Sequence, residues 1–443
     1  MSSPAAAHHA NFHHPSPAQV LRPENVTLAP TGRGMGFGLI GLGVVLAIVA
    51  FVLGWQHFAG VAFKQALAAY HLATMSVLAM SLGALFFVMV FHLTNAGWSA
   101  TLRRQFENVA AFVPFAWLMV LPTLAIEIKS GGLLFTWLGE HASHSPILQG
   151  KWGYFFTPGT DHDHMKHGAF PTFFVVRALL YGAVWTYLST TLRKLSIAQD
   201  TSGDRALSVR ARFISSWGML LFALSTAFAS FDWLMSLDYT FFSTMWGVYY
   251  FAGAAYASVA VVAVILATLR NRGKMVGAVT PEHFHDIGKL MFTFTVFWAY
   301  IGFSQYFLIW YSNIPEETAF FYYRMQGQWL NLGRFLIIGH FVAPFLILLF
   351  RPIKRTTGAI VLLGLWAILM EFSDLYWIVR PMAYAGVEGG GPRGLMPMLV
   401  DALAILGVVA IFAGYIIQKI PQSNLIAIKD PRLAEALAHK NYV

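Results

Sequence analysis

Ten predominantly apolar stretches separated by short polar breaks run along the chain: residues 35–54, 72–95, 109–127, 169–192, 211–235, 241–269, 287–312, 318–350, 357–380 and 397–419. A helix needs roughly 20 mainly apolar residues to cross a bilayer, so the pattern predicts an all-α membrane protein with ten transmembrane helices. The stretch 318–350 exceeds one perpendicular crossing, which implies tilt or an extension beyond the membrane. It is also unusually polar. Arg324, Gln328 and Asn331 recur at i, i+4 and i+7, on one helix face, with Arg334 beside them. The following stretch adds Glu371 and Asp374 at i, i+3. Charge inside a spanning helix is costly and normally faces the protein interior, marking a pathway or an ion pair.

Composition sharpens the class. Hydrophobic residues make up 57% of the 443-residue chain and charged residues 11%, and the mean hydropathy is +0.59. Such a balance excludes an ordinary soluble protein. Of the 29 Lys and Arg, about 20 fall on the side of the two termini and the even-numbered loops and about 6 on the other side, an asymmetry that predicts cytoplasmic termini. Arg177, Arg324 and Arg334 lie within helices. The net charge of +9 therefore reflects membrane orientation, and nucleic acid is not an expected partner. The chain has no cysteine, which excludes disulfides, thiolate-ligated iron–sulfur clusters and covalently attached c-type haem.

Outside the ten-helix domain, 34–420, residues 1–33 are rich in His, Pro and Ala and are expected to be a disordered cytoplasmic tail. His8, His9, His13 and His14 could bind metal loosely, although a solvated tail is the simpler reading. Residues 128–168 form the one long external loop, with Glu140, His141, His144, Asp161, His162, Asp163, His164 and His167. No fixed zinc ligand set stands out among them, so a polar surface for a partner is expected rather than a metal site. Pro114 and Pro122 read as packing irregularities, and Glu127 as a solvated residue near the outer interface. Residues 421–443 are expected to be a short, weakly amphipathic cytoplasmic tail.

An internal repeat relates the two halves. The fourth span opens with FFVVR, Phe173 to Arg177, and the eighth with FFYYR, Phe320 to Arg324. The fifth ends in SFDW around Asp232, and the ninth in FSDLYW around Asp374. Repeats four helices apart keep the same orientation, so their relating axis runs along the membrane normal. The repeat predicts two ion pairs, Arg177 with Asp232 and Arg324 with Asp374, each toward the outer face.

Three kinds of chemistry fit these residues. A bis-histidine haem would need His92 and His340 to face one another; packing histidines are the simpler reading. A proton route could use Glu371, Asp374, Asp401, His340 and Asp232, with water and hydroxyls between them. Its competitor is that Arg177, Arg324 and Arg334 neutralise these acids and lock helices together. Glu371, with no counterpart in the repeat, is the strongest relay candidate. A quinone site could be lined by the 14 Trp, 38 Phe and 17 Tyr, but aromatic residues also gather at membrane interfaces.

The stretches HLTNAGWSATLRRQFE (92–107), FDWLMSLDYTFFSTMWGVYYFAG (231–253) and HDIGKLMFTFTVFWAYIGFSQYFLIWYSNIPEET (285–318) resemble the NrfD-like (polysulfide-reductase-type) membrane subunits of bacterial alternative complex III, the F subunit in particular. The resemblance covers essentially the whole spanning region. It implies two four-helix bundles, helices 2–5 and 6–9, flanked by helices 1 and 10, in the cytoplasmic membrane. It implies a place in a quinol:cytochrome c oxidoreductase of a respiratory or photosynthetic chain. The partners would be a sister NrfD-like subunit, an iron–sulfur subunit and c-type cytochrome subunits. Clusters and haems would reside in those partners and none in this chain, quinol contact remaining possible. Alternatives are a quinone-binding NrfD-like subunit of another membrane oxidoreductase, a secondary transporter or a purely structural anchor.

Overall fold

The apolar stretches translate into ten helices long and apolar enough to cross a membrane. In chain order they are α1 (Arg33–His57), α2 (Val61–Leu93), α3 (Arg103–Ser130), α4 (Thr172–Ser202), α5 (Arg205–Trp233), α6 (Trp246–Asn271), α7 (Pro281–Ser312), α8 (Gly327–Leu349), α9 (Thr357–Ala383) and α10 (Leu395–Lys419). The computed structural model describes residues 17–57, 61–139, 144–156, 170–384 and 395–441, and no strand occurs among them. The tail histidines His8 to His14, the loop residues Glu140, His141 and Asp161 to His167, and the Gly389–Pro392 segment lie outside the described residues.

Local chemistry sets the helix ends. Asp204 accepts the Ala206 amide at 2.8 Å and so caps the start of α5. Thr280 and His283 form a reciprocal box at the start of α7. That helix stops at Asn313, which takes the left-handed conformation with φ 50°. Pro114 occupies the first turn of the resumed half of α3, Val113–Ser130, where a missing N–H leaves no bond unmade.

Two helices form the centre. The most apolar window of α2 is 89% buried and that of α6 is 83% buried, against 22% for α1. A helix apolar all round belongs inside a bundle, and α2 and α6 pack on each other. Around them, α3 and α5 pack on α2, and α7 and α9 pack on α6. The antiparallel pairs α4/α5 and α8/α9 are both in contact, and α1 packs along α10. Gly43 and Gly407 let those last two backbones meet: a Cβ on Gly43 would lie 2.4 Å from the Gly407 carbonyl oxygen. Close approach through small residues replaces hydrophobic driving force between helices in lipid.

The structure refines the sequence expectation at three places. Of the two expectations for 318–350, tilt or an extension, the extension is the one that fits. It is a separate short helix, Pro315–Arg324, followed by a break and then α8. Gly327, with φ 53°, supplies the left-handed turn that β-carbon-bearing residues avoid. Second, residues 17–33 are not a disordered tail. Val20 and Val26 are buried, and Asn25 donates to the Val276 carbonyl oxygen at 2.9 Å. Third, the C-terminal segment is docked rather than loose: Leu425 and Ile426 are fully buried, and the Leu425 amide donates to the Val26 carbonyl at 2.7 Å. Both ends of the described chain therefore meet at one face of the bundle, here termed the terminal face.

Candidate functional site

The intramembrane charges sort into neutralised pairs and acids without a cation. The first pair stands at the end of the α4/α5 hairpin remote from the terminal face. Arg177 Nε donates to Asp232 Oδ2 at 2.9 Å, Nη2 donates to Oδ1 at 2.8 Å, and the Tyr181 hydroxyl adds a bond of 2.8 Å to Oδ2. A planar guanidinium on a planar carboxylate in this two-pronged manner is the strongest geometry for such a pair. The guanidinium also lies 3.9 Å from the centre of the Tyr154 ring and donates to the Tyr154 carbonyl. Burial, and then the nearby Asp232 charge, push the Tyr154 phenol up.

The expected counterpart does not form. Arg324 makes no ion pair with Asp374. It is buried with its three nitrogens donating to carbonyls: Nε to Trp377 at 3.2 Å, Nη1 to Phe320 at 3.0 Å and Nη2 to Ile378 at 2.8 Å. Its guanidinium sits 3.5 Å from the centre of the Phe320 ring. The physical reason is the break after Arg324, which turns this short helix so that its cation closes the open carbonyls near the end of α9. Arg334 pairs with no acid among the described residues either, and it is exposed together with Gln328 and Asn331. The predicted polar face is thus divided between two helices, and only Arg324 of it is buried.

A different residue neutralises the acid of the last span. Arg380, fully buried at the end of α9, places Nη2 2.8 Å from Asp401 Oδ2 and 2.7 Å from Oδ1. The Tyr376 hydroxyl donates to Asp401 at 2.8 Å, and Arg380 Nη1 donates to the Gln65 carbonyl at 3.0 Å. Asp401, a relay candidate by sequence, is the anion of an ion pair here. The sequence reading missed Arg380 because it lies in a helix end, where a cation ordinarily reaches solvent; its position 21 residues before Asp401, across one connection, was the available signal.

Asp374 and Glu371 have no such partner. Asp374 is 4% exposed and Glu371 2% exposed. The Tyr249 hydroxyl donates to Asp374 Oδ1 at 2.5 Å and Trp298 Nε1 donates to Oδ2 at 3.1 Å. Both donors are neutral. Glu371, one turn deeper, has Oε2 buried with no hydrogen-bond partner. It occupies the space beside Gly253 of α6, where a Cβ would stand 2.7 Å from Oε2. Among the described residues no guanidinium or ammonium bonds to either acid. The helices position this group by simple periodicity. Glu371 and Asp374 share a face of α9, and Tyr249, Gly253 and Tyr256 share one of α6 at i, i+4 and i+7.

His340 joins the same cluster through a π turn. Residues Ile337–Val342 of α8 are under-wound into a wider turn with one extra residue, and the Ala343 amide donates to Ile338 rather than to Gly339. Residue 344, next in line to serve the Gly339 carbonyl, is proline and has no N–H. Trp366 of α9 fills the gap, its Nε1 donating to that carbonyl at 2.7 Å. Single π turns of this kind recur at functional sites. The widened turn carries His340, 0% exposed, onto Trp298: the rings stack at 3.8 Å with planes 17° apart. Tyr256 lies against His340 at 5.0 Å. Trp298 therefore contacts His340 with its face and Asp374 with its N–H.

On the other side of Tyr249 and Trp298 lies a cavity of about 700 Å³. It opens between α7 and α8 under the helix Pro315–Arg324, with Tyr306, Phe320, Phe321 and Arg334 on its walls. Both side chains that hold Asp374 thus border the cavity.

The remaining expectations fall elsewhere. Glu127 is not solvated: it is fully buried and accepts the amides of Leu134, at 2.9 Å, and Phe135, at 3.0 Å, stapling the turn after α3. His92 stands near the terminal-face end of α2 and leaves Nε2 unbonded. Among the described residues no group of three His, Asp or Glu is arranged to hold a metal ion. A second charged cluster, absent from the sequence reading, lies at the terminal face. There Arg103 bonds Asp430 at 2.5 Å and Arg104 bonds Asp200 at 3.0 Å, with Glu107 between the two arginines. The RRQFE segment was the visible signal, but its partners are almost a hundred and more than three hundred residues away. Compared with known proteins, the chain matches no family model and no curated protein.

Proposed function

We propose that the chain is a membrane subunit of a quinol:cytochrome c oxidoreductase of the alternative complex III type, and that α6–α9 carry a proton route through it. In this reading α2–α5 and α6–α9 are two bundles related by the sequence repeat, the terminal face is cytoplasmic, and redox groups belong to partner subunits. The observation that supports the route is the pair Glu371 and Asp374: two buried acids, one turn apart, bonded by no cation among the described residues. Buried carboxyl groups and hydroxyls bridged by water are the usual parts of an intramembrane relay. A buried acid serving only to join helices is expected to have a cation partner, as Asp232 and Asp401 do.

The test is proton translocation by the assembled complex in liposomes. Glu371→Gln keeps the side-chain shape and removes the exchangeable carboxyl proton. The expected result is loss of translocation with quinol oxidation largely retained. Normal translocation in an assembled Glu371→Gln complex rejects the route, and failure of the chain to co-purify with haem-bearing subunits rejects the complex.

The cavity favours a second reading, contact with quinol. Ligand sites are concave and mostly apolar, with a few polar groups at fixed positions, and this one brings Tyr249 and Trp298 to its wall. A photoreactive quinone analogue would label α7 or α8 if the cavity is occupied by the head group. Labelling confined to other subunits would reject this second reading.

A further inference from the structure

A basic cluster at the terminal face, at the ends of α7 and α8, has no place in the proton or quinol readings. Lys354 and Arg351 lie on the short helix Arg351–Arg355 that joins α8 to α9. The Lys354 stem rests on the backbone of Gly288, where a Cβ would come within 2.7 Å of Lys354 Cγ. Its ammonium is 5.9 Å from the centre of the Phe292 ring and bonds to no carboxylate among the described residues. Arg351 donates to the Asn441 backbone carbonyl at 3.3 Å and pairs with no acid among the described residues. His285, 8% exposed, leaves Nδ1 buried and unbonded among the described residues, with Lys289, Lys354, Asp286 and Arg351 around it. Asp286 is taken by Lys289 and His439, so it does not serve Lys354 or Arg351. Burial, and then Lys289, push the Lys354 ammonium down, the direction expected where a cation faces another cation.

The surroundings narrow the missing anion. Phe292 stacks on Phe345 at 5.3 Å, and beside them Leu346, Leu349 and Phe350 are exposed. A fixed cation pair thus borders an exposed apolar flank at the end of a spanning helix. Charge complementarity calls for an anion, and the flank calls for hydrocarbon attached to it. We propose that Lys354 and Arg351, with His285 beneath them, hold the phosphate of an anionic phospholipid whose acyl chains lie along α8. By the positive-inside rule this is the cytoplasmic leaflet, whose anionic lipids attract juxtamembrane basic residues.

The test is native mass spectrometry of the full chain released from nanodiscs made of phosphatidylglycerol and phosphatidylcholine in equal amounts. The unchanged chain is expected to retain phosphatidylglycerol selectively. At about fivefold in affinity per basic residue, K354Q with R351Q is expected to weaken that retention roughly 25-fold. K354R alone is expected to keep it. R205Q with R212Q, which removes two cations from the terminal-face end of α5, serves as the control and is expected to retain the lipid, and an unchanged elution profile shows that each variant is folded. Equal retention of the two lipids by the unchanged chain overturns the proposal, as does undiminished retention in the K354Q, R351Q variant. Displacement of the lipid by millimolar inorganic phosphate alone would also overturn it, since the site would then recognise a free anion.

Discussion

The two halves of the chain carry the same short motifs and use them differently. In the first half, FFVVR and the aspartate 55 residues on meet as a two-pronged ion pair, Arg177 with Asp232. In the second, FFYYR and the aspartate 50 residues on do not meet: Arg324 turns to backbone carbonyls, and Asp374 is held by Tyr249 and Trp298. The difference lies in one local event. In the first half the motif opens a continuous helix, whereas in the second a break at Met325 and Gln326 cuts the motif away from α8. Similar sequence therefore fixes where charges sit in the bilayer but not which charges they meet. Where the pair closes, the site is a lock between helices. Where it opens, Asp374 is left beside Glu371 with no cation bonded to either among the described residues.

The largest effect expected from this comparison is on removal of a cation from a closed pair. Arg177→Ala or Arg380→Ala leaves Asp232 or Asp401 buried without its partner, at a cost of about 3–5 kcal/mol by the precedent of buried pairs. Thermal unfolding in detergent, or the yield of assembled protein, should show a severe loss for both. An effect no greater than that of an exposed arginine would mean that the pairs are not locks.

Next comes Asp374→Asn, which keeps the shape and removes the acid. It makes no cation unpaired, so the loss should be limited to rearranged hydrogen bonds, about 1–3 kcal/mol. A loss as large as that of Arg177→Ala would place an unrecognised cation beside Asp374. Tyr249→Phe should cost less, about 0.5–1.5 kcal/mol for one hydrogen bond, read by the same unfolding midpoint. The smallest effect is expected for Arg334→Gln: the side chain is exposed and pairs with no acid among the described residues, so stability should change within about 0.5 kcal/mol. A large destabilisation there would restore the ion-pair role that the sequence suggested.

Sequence alone disclosed the ten spans because hydrocarbon thickness imposes a length on every crossing, and no tertiary detail is needed to see it. It also disclosed Arg177 with Asp232, since adjacent helices joined by a tight turn bring their far ends together. The second pairing was illegible for a physical reason. A break within an apolar run shows only as Gln326-Gly327 and an overlong span, and excess length by itself does not distinguish tilt from an extension. Arg380 was hidden by its position at a helix end. Tyr249 and Trp298 were hidden by abundance, because nothing in the sequence distinguishes the two rings that bond Asp374 among so many. The π turn at His340 follows from Pro344 and from a tryptophan on another helix, a coincidence of two elements that periodicity within one helix does not show. The docked C-terminal segment depended on contacts spanning most of the chain, such as Arg103 with Asp430.

The most direct test of the comparison is infrared difference spectroscopy of the assembled complex during quinol oxidation, which reads the C=O stretch of protonated carboxyl groups. The account predicts a carboxyl band that changes during turnover, is abolished in Glu371→Gln and is unaltered in a variant carrying Asp232→Asn with Arg177→Gln. A turnover spectrum identical in Glu371→Gln, or a band lost with Asp232 instead, would contradict the assignment of proton chemistry to the open half and locking to the closed one.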